Sequence, residues 1–178
     1  MGKTLRDSAI EVTPGGSAIV PVEIDGLPAE IEALGRRWRR KVEFHMTVLA
    51  GSVIEETRGS WDALAGLLGG RSLSPIRPTR ELRLVGRHPQ KPGLKTIVVM
   101  VECPALVEVY RELSAELGAD LTPPPAHVTV YSTDPDDGIG ISNEEQLRER
   151  APELGEAEQE EVRRSMRFEE VFGPWSQQ

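Results

Sequence analysis

His45-Met46-Thr47-Val48-Leu49 and His127-Val128-Thr129-Val130-Tyr131 share one pattern: histidine, apolar, threonine, apolar, apolar. Short runs rich in β-branched residues predict strands. In a strand, alternate side chains share a face. His45 and Thr47 are therefore expected on one face, and His127 and Thr129 likewise. Met46, Val48, Val128 and Val130 should point the other way, into a core. Tyr131 lies two residues past Thr129, so alternation sets it beside His127 and Thr129. There it is either a substrate contact, stacking on a base or bonding a phosphate, or a core tyrosine. Leu49 stands in its place in the first motif. An imidazole and a hydroxyl side by side, presented twice, suit a phosphate group.

The surroundings of the two motifs also match. Ahead of the first, residues 18–24 (AIVPVEI) read as a strand, with Pro21 near an edge or at a bulge. Asp25-Gly26 turns the chain. Pro28 opens a predicted helix with Ile31, Leu34 and Trp38 as its buried stripe. Arg36-Arg37-Trp38-Arg39-Arg40-Lys41 would end it, as cations complementing the helix dipole or as a phosphate-binding patch. Ahead of the second motif, residues 94–102 read as a strand and Pro104 opens a helix. Leu106, Tyr110, Leu113 and Leu117 form its stripe, and Gly118 ends it. Pro123-Pro124-Pro125 then forces an extended approach to strand 126–132. Strand, proline-started helix, His-x-Thr strand: the order recurs. It suggests a duplication that builds two lobes, with the motifs facing each other across a cleft.

Between and after these units the reading is plainer. A short helix is expected over 60–68, with Trp61, Leu64, Leu67 and Leu68 as its apolar face. Residues 69–79 read as a mobile loop, entered by the turn signals of Gly, Ser and Pro. Two strands, 81–86 and 94–102, flank a turn holding His88, an exposed loop histidine without a threonine two residues on. Thr13-Pro14-Gly15-Gly16 is a loop signal, and Asp134 to Gly140 is a turn. That turn lacks the ligand spacing of a calcium loop. Ser142-Asn143-Glu144-Glu145 opens a helix, and the preceding glycines are a weak candidate for an anion. Arg71, Arg77 and Arg80 read as solvated loop cations. Residues 168–172 are a last predicted strand.

Composition bounds the function. With 178 residues and 38% apolar content the chain suits one globular domain, 1–178, with a core over 18–150 and an acidic C-terminal extension over 151–178. Aromatic residues are only 4%, which argues against a stacking surface for a nucleic-acid strand. The net charge of -8 divides unevenly: residues 1–100 carry 15 Lys/Arg and 11 Asp/Glu, and residues 101–178 carry 6 and 18. An acidic protein is not built to coat long duplex DNA or an anionic membrane. The basic half still suits a small anionic ligand. Cys103, the single cysteine, excludes an internal disulfide and reads as a buried thiol. The sequence shows no signal-peptide core, no myristoylation pattern and no membrane-spanning run. A cytoplasmic monomer without membrane partners is the expectation.

Two histidines of neutral-range pKa can act as general base and general acid in one reaction. A phosphodiester needs that pair, one imidazole for the attacking water and one for the leaving oxygen. Thr47 and Thr129 would supply hydrogen bonds to phosphoryl oxygens as they gain charge. No metal-ligand motif appears, so no metal or other cofactor is expected.

The pair HMTVL and HVTVY resembles the twin His-x-Thr/Ser-x signatures of the two-histidine (2H) phosphoesterase superfamily. That group includes bacterial RNA 2′,3′-cyclic phosphodiesterases, also called 2′-5′ RNA ligases, and plant-type cyclic phosphodiesterases. The resemblance covers roughly residues 18–133. It implies a bilobal α+β fold, two antiparallel sheets flanking a central cleft with helices outside. It implies His45 and His127 as the acid–base pair, Thr47 and Thr129 as phosphate-holding residues, and no metal requirement. The activity implied is hydrolysis of a cyclic phosphate, at an RNA end or on a small nucleotide, with reversible RNA ligation as the related reaction. The alternative from the same cleft is a non-catalytic module that binds a nucleotide or RNA end. A scaffold recruiting a partner through the acidic C-terminal region is a third reading.

Overall fold

The structure, a computed structural model, describes residues 3–13, 16–51, 53 and 61–174, with the backbone alone at Trp61. Pro14 and Gly15 of the expected loop, Ser60 at the expected helix start and the side chain of Trp61 lie outside the described residues. Among these residues the chain forms β1 (Arg6–Asp7), β2 (Glu11–Val12), β3 (Ala18–Glu23), β4 (Glu30–Ala33), β5 (Arg36–Arg40), β6 (His45–Leu49), α1 (Trp61–Leu68), β7 (Arg77–Val85), β8 (Thr96–Glu102), α2 (Pro104–Leu117), β9 (His127–Ser132), α3 (Glu144–Arg150), α4 (Glu156–Ser165) and α5 (Phe168–Phe172). The fold is α+β. Its strands pair antiparallel throughout and form one curled sheet, a half-barrel, along the path β1-β3-β6-β9-β5-β4. β2 also pairs with β3, β8 with β9, and β7 with β8. The expected division into two sheets flanking a cleft is not seen: β9 belongs to this single sheet and pairs with β6, β5 and β8.

The motif strands form, and alternation holds from each histidine to its threonine. The second unit's helix also follows its sequence: α2 starts at Pro104 and stops at Gly118, whose φ of 61° suits glycine. Leu106, Val109, Tyr110 and Leu113 are its buried face. Sheet residues such as Met46, Val99 and Val128 meet α2, α1 and the C-terminal helices in one main core. Each such side chain contributes about 1.5–3 kcal/mol by leaving water. β8 also serves a second, smaller core. Its Val98 turns to the opposite face and packs with Val85, Leu94, Ile139, Ile141, Leu147 and Ala151.

Residues 28–41 do not form a helix; β4 and β5 are a hairpin, and the helix of the first repeat unit is absent. Ile31 and Ala33 alternate inward on β4, and Trp38 is the one buried residue of β5 between exposed arginines. Ile31 and Trp38 are cross-strand partners. The turn is Leu34-Gly35, both with positive φ (55° and 69°), as a two-residue type I′ turn requires. Leucine is a poor residue for that conformation, and the N–H of Leu34 is held by Glu161 Oε1 at 2.8 Å. The arginine run therefore decorates an edge hairpin, where charge protects an exposed strand. It does not cap a helix.

Three other segments differ from expectation. Residues 168–172 are helical: Phe168 and Phe172 sit one turn apart with ring centroids at 4.7 Å, and the exposed Glu170 between them would share their face in a strand. Residues 69–76 run without regular structure, but Leu73 and Ile76 are fully buried and Leu5 N–H bonds Ile76 O at 2.9 Å, so the segment is pinned. β7 already begins at Arg77. Within residues 151–174, Val162, Met166, Phe168 and Phe172 are part of the main core. Among the described residues no helix is long and apolar enough to cross a membrane.

Candidate active site

β6 and β9 lie side by side, antiparallel, and pair at Met46 and Val128. Each of these is the second residue of its motif. That register turns His45 toward Thr129 and Thr47 toward His127, on the face away from the buried Met46 and Val128. All four side chains line one cavity of about 340 Å³.

Both motif strands carry the same irregularity. Against β3, Thr47 pairs with Ile19 but Leu49 pairs with Ala18, which leaves Val48 as an extra residue. Against β8, Thr129 pairs with Val98 but Tyr131 pairs with Ile97, which leaves Val130 extra. A bulge of one residue shifts the alternation by one. Leu49 and Tyr131 therefore turn into the main core. The carbonyls of the two extra residues still need partners. Val48 O accepts from Tyr110 Oη at 2.7 Å, and Val130 O accepts from the Lys41 N–H at 2.9 Å.

Tyr131 is thus corrected from a substrate contact to a core residue. It is fully buried, its hydroxyl donates to Pro28 O at 2.9 Å, and it does not line the cavity. Burial pushes its pKa up, against a smaller opposing effect of Arg40. Tyr131→Phe is expected to leave turnover unchanged. It should destabilise the protein by about 1–3 kcal/mol through the unpartnered Pro28 carbonyl, read as a lower urea midpoint.

The two histidines differ in setting. His127 is 8% exposed, and its Nδ1 lies 2.7 Å from Pro125 O. A carbonyl only accepts, so Nδ1 carries the proton. In the neutral ring Nε2 keeps its lone pair. Burial lowers the pKa of His127; the Pro125 bond raises it, and a charge on His45 lowers it further. His45 is exposed to the cavity. Partial loss of water around its ring lowers its pKa, nearby Lys41 adds to that, and Glu43 opposes it. Among the described residues no hydrogen bond occupies the hydroxyl of Thr47 or Thr129, or the ring of His45.

The remaining wall includes Lys41, the end of the run whose second reading is a phosphate-binding patch, and the glycines before Ser142, the weak anion candidate; sequence reasoning leaves Glu43 out. Lys41, Glu43, Asp136 and residues 138–142 line the cavity. The Lys41 ammonium donates to Pro135 O and to Asp137 O, the latter at 3.1 Å. Lys91 pairs with Asp137 and holds its carboxyl below the usual range. Ile139 and Ile141 dock into the second core under β8. The turn expected over 134–140 is therefore a wall of the site. Two N–H groups near the start of the following helix are already used: Ser142 N–H bonds Gln146 Oε1 at 3.0 Å and Gln146 N–H bonds Asn143 Oδ1 at 2.8 Å. Lys41 and Glu43 lie in the bend between β5 and β6, where strand alternation gives no signal.

Other candidates lie elsewhere. Arg71 makes two bonds to Glu112, at 2.6 and 3.1 Å. Arg80 pairs with Glu169 at 3.1 Å, and Arg77 lies opposite Glu102 in the β7–β8 ladder. His88 sits in its turn, accepting from Gln90 N–H at 3.2 Å. Cys103 is buried, and burial raises its pKa. Asp134 Oδ1 accepts from Asp136 N–H at 3.2 Å, as in an Asx turn. Among the described residues no group of three or more His, Cys, Asp or Glu side chains clusters as metal ligands do. The chain matches no family model, and comparison with curated proteins and with solved structures finds no significant match.

Proposed function

We propose that this protein is a metal-independent cyclic phosphodiesterase of the 2H phosphoesterase type, acting on a 2′,3′-cyclic phosphate of a small nucleotide or RNA end. What carries the reading is the convergence of two His–Thr pairs, from two strands, on one cavity wall. A second support is the matched architecture of the motifs. Each is bulged at its fourth residue, and they meet at their second, as expected of two duplicated lobes that share a cleft.

In this reading His127 is the general base. Its Nδ1 is held by the Pro125 carbonyl, so Nε2 is the atom that accepts a proton from water. The water oxygen attacks phosphorus, and the bond from phosphorus to one ribose oxygen breaks. His45 gives its proton to that leaving oxygen; burial and Lys41 lower its pKa, against a smaller opposing effect of Glu43. The product is a phosphomonoester with a free neighbouring hydroxyl. Thr47 and Thr129 donate to the non-bridging oxygens as charge gathers there.

The test is hydrolysis of a nucleoside 2′,3′-cyclic phosphate in EDTA, followed across pH. kcat/KM reports the free enzyme, and it should fall on the acid side as His127 is protonated and on the alkaline side as His45 loses its proton. Both pKa values lie below the ordinary histidine value, so the bell should peak below about 6.5. Saturable binding without turnover would instead identify a binding module, and an optimum well above neutrality would remove the assigned roles.

A further inference from the structure

The cavity that holds the histidines carries an unusual charge balance for an anion site. Among the described residues its wall contains one lysine, Lys41, and two carboxylates, Glu43 and Asp136. The ammonium of Lys41 is engaged by two backbone carbonyls, of Pro135 and Asp137. Glu43 and Asp136 are exposed, and among the described residues neither forms an ion pair. Both are therefore free to act on a ligand. Carboxylates only accept hydrogen bonds, so they favour hydroxyl and amine donors and repel further phosphate.

Size and lining point the same way. A volume of about 340 Å³ is near the lower end for ligand pockets. Beyond the two imidazoles no aromatic ring lines it among the described residues, and Ala50, Ile139 and Ile141 are its apolar members. Successive bases of a strand would find no stacking platform.

We infer that Glu43 and Asp136 make this site selective for a small cyclic phosphodiester with a single negative charge and hydroxyl donors, and turn away the same molecule when it bears a second phosphate. The inference rests on the cyclic-phosphodiesterase reading. It adds the substrate class and two specificity-determining residues. Like charges about 7 Å apart at an effective dielectric near 20 alter an equilibrium by roughly 10- to 100-fold. That is the scale of discrimination expected.

The experiment compares uridine 2′,3′-cyclic phosphate with the same nucleotide carrying a 5′-phosphate. Hydrolysis is followed by phosphorus NMR, and binding through the histidine ring resonances. Wild type is set against Glu43→Gln, Asp136→Asn and the double variant, all near-isosteric changes at exposed positions. The wild type should prefer the singly charged substrate by about tenfold or more in kcat/KM. The preference should shrink in each single variant and nearly vanish in the double, chiefly through a lower KM for the 5′-phosphorylated substrate. Equal turnover of both substrates by wild type, or an unchanged preference in the double variant, overturns the inference and leaves the hydrolase reading intact. Discriminating binding without turnover removes the hydrolase reading and supports the charge filter. Neither binding nor turnover removes both.

Discussion

His127→Ala is expected to lower kcat/KM for a cyclic phosphate by roughly 10²- to 10⁴-fold, the range of positioned acid–base catalysis. His45→Ala should fall in the same range, and the double variant should lose little more than the worse single one, because the two act in one step. The settings of the two rings also predict how the losses differ. His127 is fixed by Pro125 and has its lone pair available; His45 is held by no hydrogen bond among the described residues. If His45 is the acid, a phosphodiester whose leaving group departs without a proton, such as a nitrophenolate, should restore much of the His45→Ala rate and little of the His127→Ala rate. The reverse pattern would exchange the roles, and full activity in either variant would end the proposal. Near-UV circular dichroism of the His127 variant checks that removing a buried ring has not loosened the strand.

Trp38→Ala should be the most destabilising single change in the first half of the chain, at about 3–5 kcal/mol. Its indole is fully buried, and Nε1 donates to Ala33 O at 2.9 Å across the hairpin. Truncation opens a cavity and leaves that carbonyl unpartnered. It also removes the apolar anchor of a strand whose other four residues are arginines. β5 pairs with β9 at Arg39–Ser132 and Arg40–Tyr131, so the loss reaches the strand of the second motif. Urea denaturation measures it as a lower midpoint with little change in slope. A loss below about 1 kcal/mol would mean that the hairpin is peripheral to the core.

The hairpin also shows where sequence reading fails. Ile31, Leu34 and Trp38 are spaced as on a helix, yet Leu34 is the first turn residue and the other two are cross-strand partners. The period was a coincidence, and the true turn was hidden by a leucine in a conformation that glycine or asparagine usually takes. The shared facing of His45 with Thr47 and of His127 with Thr129 was legible because alternation holds over those residues. Tyr131 was not, because one extra residue reverses parity without any mark in composition. The wall at 136–142 was legible only as a turn and a weak anion candidate, not as part of the same cavity. Its placement depends on Ile139 and Ile141 reaching Val98, a contact between distant parts of the chain. Glu43 was out of reach of that alternation, because it sits in the bend before β6.

Between β6 and β9 the ladder registers a single pair, Met46 with Val128, whereas β3–β6 and β8–β9 each register several. The narrowest seam of the sheet thus runs directly beneath the two His–Thr pairs. Few backbone bonds resist a twist there. What holds the angle is the packing of two fully buried side chains, Met46 and Val128, on the far face. The aperture between the histidines is therefore a property of the hydrophobic interior. Repacking under the sheet would retune the spacing of the two histidines without altering either ring.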